Sequence, residues 1–205
     1  NTQAAPSLLY DYSGFPPHTY DLEYPAPGSP ELAAEVRALL ATAGITSEAE
    51  RARGVDHGVF IPMKVAFPAA DVPIVQLSLK HGLDPVEHLA LGRALAPLRR
   101  NGVLIIGSGM SYHNMRRFSV NNTDPDPDSV RFDAWLTETV GLPPDIREQR
   151  LTAWAATPGG RASHPREEHL LPLHVVVGAA GDDAGQRVFQ DRVIGSTQSA
   201  FMFGG

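Results

Sequence analysis

The sequence predicts an α/β fold, with a single domain built on a central mixed sheet flanked by helices and closed by a C-terminal antiparallel hairpin. The main observation is an apolar, β-rich run at residues 72–79, followed by a helix signal and a second apolar run at residues 103–107. A strand, a helix and a strand with short connections form a right-handed βαβ unit, so the two strands are expected to be parallel neighbours. Two apolar runs at residues 187–194 and 197–203, joined at Gly195-Ser196, predict the closing hairpin.

The other elements follow from start and stop signals. Residues 7–12 predict a short strand, and Ser29-Pro30 opens a helix that ends at Gly44. A capping-box variant at residues 84–87 opens a helix to about residue 99. A helix over residues 130–140 precedes another that starts at Pro143-Pro144. Pro165 has the character of a first helical residue, so the apolar run at residues 170–177 predicts a buried helix that begins there.

Composition limits the possible functions. The chain has 205 residues, 42% of them hydrophobic and 20% charged, with a net charge of −6, as in an ordinary globular domain. Acidic and basic residues are interspersed, which gives no signal for nucleic acid or an anionic membrane as partner. Apolar stretches are much shorter than the roughly 20 residues that span a bilayer, so a cytoplasmic protein is expected. Zero cysteines leave the eight histidines, with Asp and Glu, as metal ligands.

His113 is the first candidate for chemistry because it follows the predicted strand at residues 103–107 through Ser108-Gly109. In open α/β sheets the carboxyl ends of strands face the ligand crevice, and glycines allow the backbone to approach a ligand closely. The alternative is that the glycines only end the strand and His113 makes a local hydrogen bond. His57 lies at an element boundary, where an ordinary turn is the alternative to a site.

His169 follows Glu167 and Glu168 in what the sequence predicts as the first turn of the apolar helix, where acids are common because they complement the helix dipole. His164 and His169 are five residues apart, about 140° around a regular helix, so one helix cannot aim both at one metal. Zinc-protease, serine-hydrolase, Walker A and complete dinucleotide-binding motifs are absent from the sequence.

Taken in order, several short motifs resemble the class III extradiol ring-cleavage dioxygenases, in the branch that includes 4,5-DOPA extradiol dioxygenase. The similarity extends over almost the whole chain, and its specificity comes from the order and intervals of the motifs. The motifs are Tyr10-Asp11-Tyr12-Ser13-Gly14-Phe15-Pro16, Tyr24-Pro25-Ala26-Pro27-Gly28, Asp56-His57-Gly58, the run from Phe67 to Ser78, Gly92-Arg93, Ser108-Gly109 through His113-Asn114, and His164-Pro165 with Glu168-His169.

The resemblance implies an enzyme that cleaves the ring of a catechol, a DOPA-like compound or another small phenolic diol, with non-haem Fe(II) and O2. It implies that His169 is a metal ligand, with Glu168 as the fallback carboxylate. His113 matches the family's acid/base position, and some descriptions of the family make it a ligand instead. His57 matches a second active-site histidine that hydrogen-bonds the substrate or the oxygen intermediate. An imidazole suits acid/base work because its ordinary pKa lies near neutral pH.

The resemblance also implies what this chain lacks. The family begins with a segment that carries a His-Gly motif and then a Ser-Ala-His-Trp motif, which supply two metal ligands and strands of the central sheet, and neither is present. A single extradiol-like domain over residues 1–205 is therefore expected without its N-terminal part. The expected macromolecular partner is a second copy of the chain or a separate chain with the N-terminal segment. A zinc-bound or metal-free, non-catalytic binding module of the same fold is the alternative, because neutral imidazoles also suit Zn2+.

Overall fold

The structure is a computed structural model that describes residues 1–121 and 124–204. The described chain forms two compact units, Asn1–Ser78 and the residues from Leu79 onward, here called unit 1 and unit 2. Residues 122, 123 and 205, which belong to the domain predicted over residues 1–205, lie outside the described part. The described chain combines helices with strands and ends in an antiparallel hairpin, which confirms the α/β class and the predicted closing hairpin.

Unit 1 is built on a short parallel ladder in which β1 (Leu8–Leu9) pairs with β2 (Val55–Asp56). Helix α1 (Pro30–Thr42) begins as the sequence predicts, because the Ser29 side chain accepts a hydrogen bond from the amide of Leu32 at 3.1 Å. Helix α2 (His57–Ala66) follows β2 directly, and a short 3-10 helix spans Pro17–Tyr20. The buried residues of this core are Tyr24, Ala26, Val55, Phe60 and Met63.

Unit 2 is mostly helical before its hairpin. Its elements are α3 (Pro85–Leu95), α4 (Pro97–Arg100), α5 (Pro127–Val140), α6 (Pro144–Thr152), a 3-10 turn (Trp154–Ala156), α7 (Gly160–Ser163), α8 (Leu171–Ala180), β3 (Gly185–Val193) and β4 (Ser196–Phe203). The core of this unit consists of Leu89, Phe132, Leu136, Leu151, Trp154, Leu170 and Val177. Burial of these side chains supplies the main driving force for packing.

Helices α3 and α8 pack at very short range through glycines. A Cβ atom at Gly92 would overlap the carbonyl oxygen of Val175, and one at Gly178 would overlap the carbonyl oxygen of Leu89. Only residues without a side chain permit this approach of the two backbones.

The predicted central mixed sheet is not confirmed. Among the described residues, the segment over residues 72–79 contributes one isolated parallel bridge, between Ile74 and Gly28. The segment over residues 103–107 is not assigned as a strand, so the expected βαβ unit is not formed there. The physical reason is that a strand needs a hydrogen-bonded neighbour. Leu104 and Ile106 remain 70% and 52% exposed as a result.

The start of the apolar helix differs from the prediction. Helix α8 begins at Leu171, with Pro172 in its first turn, and Pro165 lies in the preceding bend. Residues 160–163 form the separate short helix α7, which the sequence did not predict. His169 therefore lies in a turn before α8 and not in the first turn of a helix, which frees its direction from helical spacing. Within the described part of the chain, every helix is too short or too polar to cross a membrane.

Candidate functional site

The segment that leads to His113 lies directly against the turn that carries His169. A Cβ atom on Gly107 would lie 2.5 Å from the carbonyl oxygen of Pro172, and one on Gly109 would overlap that of His169. The amide of Met110 donates a hydrogen bond to the His169 carbonyl oxygen at 3.0 Å. The two glycines are thus required for a close approach of the backbone, as the sequence suggested. The backbone that they approach is that of Pro172 and His169, whereas the sequence suggested a ligand.

His113 and His169 come together in unit 2. Their rings are stacked with centroids 3.5 Å apart and planes 17° apart, and both side chains are partly buried. The edge of Phe118 packs on His113 with centroids 5.9 Å apart. A metal binds imidazole in the ring plane at about 2.0–2.1 Å. Because the two ring planes are nearly parallel and about 3.5 Å apart, an ion in the plane of one ring at this distance from its nitrogen lies outside the plane of the other ring. The stacked rings therefore cannot both bind one ion in this arrangement.

The electrostatic environment favours a neutral His113. Burial lowers the pKa of His113, and the nearby Glu168 carboxylate opposes this shift without reversing it. A neutral ring can accept a proton at neutral pH, as a general base requires. The Glu168 carboxylate itself pairs with Arg166, whose Nε lies 3.1 Å from Oε2. That oxygen is buried and makes no hydrogen bond among the described residues, and Arg166 is largely exposed, so the ion pair leaves Glu168 available as the fallback ligand that the resemblance implied.

Three hydrogen bonds fix the turn over residues 111–114 on α7 and the residue that follows it. The amide of His113 donates to the Ser163 carbonyl oxygen at 3.0 Å, and Nδ2 of Asn114 donates to that of Ala162 at 2.7 Å. The buried His164 ring donates from Nε2 to the carbonyl oxygen of Ser111 at 3.0 Å. The backbone on both sides of His113 is therefore anchored, and the anchors come from a helix that the sequence did not predict.

Gln198, which lies in β4, holds the same turn through its side chain. Its Oε1 accepts from the amide of Tyr112 at 3.2 Å, and its Nε2 donates to the carbonyl oxygen of Tyr112 at 2.8 Å. The side-chain amide thus pairs with a backbone residue as a neighbouring strand would. The amide of Ser199 donates to Ser111 Oγ at 2.8 Å. Sequence reasoning missed Gln198 because no local pattern marks a contact between residues 86 positions apart.

His57 belongs to unit 1, where it is the first residue of α2. Its Nδ1 lies 2.7 Å from Oδ1 of Asp11, and its backbone amide donates to the same oxygen at 3.1 Å. The edge of Tyr12 contacts the ring, with centroids 5.7 Å apart and planes 90° apart. The element boundary expected from the sequence is confirmed, and Asp11 is a partner that the sequence did not identify.

The described residues gather only part of a metal site. Across residues 1–121 and 124–204, no group of three or more His, Asp or Glu residues is arranged to hold a metal ion. Either His113 or His169 offers an imidazole that suits Fe(II) and Zn2+ by ligand chemistry, but the stacked pair supplies only one ligand to an ion and falls short of a facial set of three. A cavity of about 420 Å3 in unit 1 is lined by none of His57, His113 and His169.

Comparison with known proteins gives a family match over nearly the whole chain. The family described as the catalytic LigB subunit of aromatic ring-opening dioxygenase matches residues 1–202. A protein called dioxygenase tasH from Hapsidospora irregularis is 39% identical, over 98% of this chain and 66% of that protein. The 4,5-DOPA dioxygenase extradiol of Beta vulgaris is 42% identical, over 86% of this chain and 65% of that protein.

Two proteins of Escherichia coli support the same conclusion. The Escherichia coli 4,5-DOPA dioxygenase extradiol is 36% identical over 85% of this chain and 64% of that protein. The crystal structure of uncharacterized protein JW3007 from Escherichia coli K12 superposes with a TM-score of 0.78 and 33% identity, covering 89% of this chain and 75% of that one. These comparisons confirm the resemblance drawn from the sequence motifs. The chain spans about two thirds of the length of these curated relatives.

Proposed function

Because this chain belongs to the family of catalytic LigB subunits of aromatic ring-opening dioxygenases, we propose that it takes part in extradiol cleavage of a catechol, with Fe(II) and O2. The observation that carries the proposal is the contact between His113 and His169, which come from two different motifs among those that resemble the family. The names of the relatives support a DOPA-like or other small phenolic diol as substrate. The family's members depend on a metal, typically Fe(II).

In this proposal His169 is the metal ligand that the chain supplies. A neutral imidazole is a common ligand for first-row metals, and Glu168, whose Oε2 lies 3.1 Å from Nε of Arg166, is the alternative ligand. When bound, Fe(II) supplies adjacent open positions for the two diol oxygens and for O2. The stacked geometry of the rings supports one ligand and one free base better than two ligands.

His113 is the general acid/base. With its pKa lowered by burial, the ring is neutral at pH 7 and can take a proton from a diol hydroxyl. The anchors on Ser111, His113 and Asn114 hold the backbone, so the ring can return that proton without moving the chain. In this proposal His57, which belongs to unit 1, makes a second hydrogen bond to the substrate.

The alternative is a zinc-bound or metal-free binding module of the same fold. The observation that favours it is the incomplete ligand set, because the described residues do not gather three ligands. A partner that supplies the remaining ligands, either a second copy or a chain with the N-terminal motifs of the family, would remove this objection.

The test is to load the full-length protein with Fe(II) without oxygen, add catechol or L-DOPA, and then admit O2. We expect O2 uptake and a yellow semialdehyde. His113→Ala is expected to lower turnover by about 100-fold or more while most of the metal is retained, since general acid/base groups contribute about 10²–10⁴-fold. His169→Ala is expected to lose the metal.

His81→Ala, which alters an exposed histidine of the same unit, is the matched control and is expected to keep both turnover and metal. Metal content is measured by elemental analysis in parallel with turnover. Equal metal retention in the His113 and His169 variants would contradict the division of roles. An iron-loaded wild type with neither colour nor O2 uptake would favour the binding module.

A further inference from the structure

Asp11 and His57 form a close pair in unit 1, and the geometry of this pair sets both the position and the protonated nitrogen of the His57 ring. The parallel pairing of β1 with β2 brings the residues after both strands to the same end of the ladder, with Leu9 opposite Asp56. Asp11 follows Leu9 by two residues, and His57 follows Asp56 directly. One carboxylate oxygen, Oδ1 of Asp11, then accepts from the backbone amide of His57 and faces its Nδ1 at 2.7 Å.

This contact determines which ring nitrogen carries the proton. An ionised carboxylate can only accept hydrogen bonds, so Nδ1 must be the protonated nitrogen of a neutral His57. Burial acts to raise the pKa of Asp11, but the hydrogen bonds from the side chain and amide of His57 outweigh it and hold that pKa below its ordinary value. Asp11 is thus ionised at neutral pH, and Nε2 of His57 is left with its lone pair.

The surroundings leave Nε2 accessible. Within the described residues Nε2 makes no hydrogen bond, and the His57 side chain is 48% exposed. The neighbouring hydroxyl groups are engaged elsewhere, because Tyr10 donates to the carbonyl oxygen of Leu22 and Tyr12 donates to that of Thr19. The ring of Tyr12 makes a T-shaped contact with the ring of His57.

We propose that Asp11 is a positioning residue that locks His57 in the Nδ1-protonated tautomer, so that Nε2 accepts a hydrogen bond from a hydroxyl of the diol substrate. The catalytic part of this inference rests on the proposed function, whereas the tautomer does not. A carboxylate behind a functional histidine is a general way to set the tautomer and the orientation of the ring.

The tautomer is measured in the whole chain with 15N-labelled histidine, by long-range 1H–15N correlation at a pH where His57 is neutral. The His57 signals are assigned by their absence in His57→Gln. We expect wild type to show a protonated Nδ1 and an unprotonated Nε2. Asp11→Ala removes the acceptor, so the signals should shift to a mixture with a protonated Nε2. Asp11→Asn keeps an oxygen at the same place and should restore much of the wild-type pattern.

Asp21→Ala, at an exposed acid of the same unit, is the matched control and should leave the His57 signals unchanged. A wild type that already has a protonated Nε2, or an Asp11→Ala variant that keeps the wild-type pattern, would overturn the inference. If the alanine variant unfolds, the folded wild type still carries the test, because a protonated Nε2 there overturns the inference without any variant.

Turnover separates this inference from the proposed function. In the iron-loaded protein, Asp11→Ala should lower kcat by about 10- to 100-fold, the range found when the outer partner of a functional histidine is removed, with partial recovery in Asp11→Asn. An inactive wild type with the expected tautomer would refute the proposed function and leave the tautomer standing. An active wild type whose kcat and tautomer are both indifferent to Asp11→Ala would refute the inference alone.

Discussion

At the scale of single residues, the site depends on side chains that do not themselves react. His164 is fully buried, donates from Nε2 to the Ser111 carbonyl oxygen, and packs edge-on against Phe132 and Trp154. Its Nδ1 has no hydrogen-bond partner among the described residues. An unpaired buried nitrogen is costly, so the bond at Nε2 must compensate for part of that cost.

We therefore expect His164→Leu to lower the free energy of unfolding by about 1–3 kcal/mol, because the Ser111 carbonyl oxygen is left without its donor. His164→Gln keeps a donor at a similar reach and should lose less. Urea unfolding measures the stability, and amide hydrogen exchange over residues 110–114 measures the anchoring of the turn. Exchange in the leucine variant that is as slow as in wild type would show that His164 does not hold the turn beneath His113.

At the scale of elements, close backbone contact between α3 and α8, and not helix propensity, explains why glycine occupies the positions where these helices cross. Gly92 and Gly178 both lie within helices, where glycine is less favourable than alanine by about 1 kcal/mol. Propensity alone thus predicts that alanine at these positions is stabilising. The overlap of a Cβ atom with Val175 or Leu89 backbone predicts the opposite sign.

Gly92→Ala and Gly178→Ala are each expected to lower the free energy of unfolding by about 1–3 kcal/mol, the usual cost of overpacking. Gly82→Ala is the control, because a Cβ there would meet only the end of Glu87 at 3.9 Å, and its effect should stay within about 0.5 kcal/mol. Chemical denaturation gives all three values. A stabilised Gly92→Ala variant would mean that the two helices are not as close as described.

At the scale of the whole molecule, buried histidines couple folding to pH. Burial lowers the pKa of His164 to about 3 and that of His174 to about 4, and both rings are fully buried in unit 2. In the unfolded chain their pKa is about 6.5. Below that pH the unfolded state binds more protons than the folded state, so stability falls as pH falls from about 7 toward 4.

Between pH 6.5 and 5.5 we expect the free energy of unfolding to drop by about 2 kcal/mol, because each histidine of the unfolded chain goes from half to almost fully protonated and contributes about 1 kcal/mol. Urea unfolding at the two pH values measures the drop. Above pH 5.5 most carboxylates stay ionised, which isolates the histidine contribution. His164→Gln should halve the drop, and an unchanged pH dependence in that variant would exclude His164 as its source.

Much of the local structure was predictable because its causes are local. The start of α1 at Ser29-Pro30, the start of α3 at Asp84 and the final hairpin were all predicted from caps, turns and periodicity. The order of short motifs identified the family, and the matched family confirms it. These features are encoded within a few residues, so a single sequence suffices to find them.

The tertiary structure decided what depends on distant partners. A strand exists only when another backbone pairs with it, so apolar character alone did not make residues 103–107 a strand. Three contacts join residues that are 46 to 86 positions apart in the sequence. They are the stacking of His113 on His169, the hydrogen bonds from Gln198 to Tyr112 and the pairing of Asp11 with His57. The sequence by itself determined which histidines to examine, whereas folding determined which atoms of those histidines are free to act, because that depends on hydrogen bonds that only three-dimensional proximity creates.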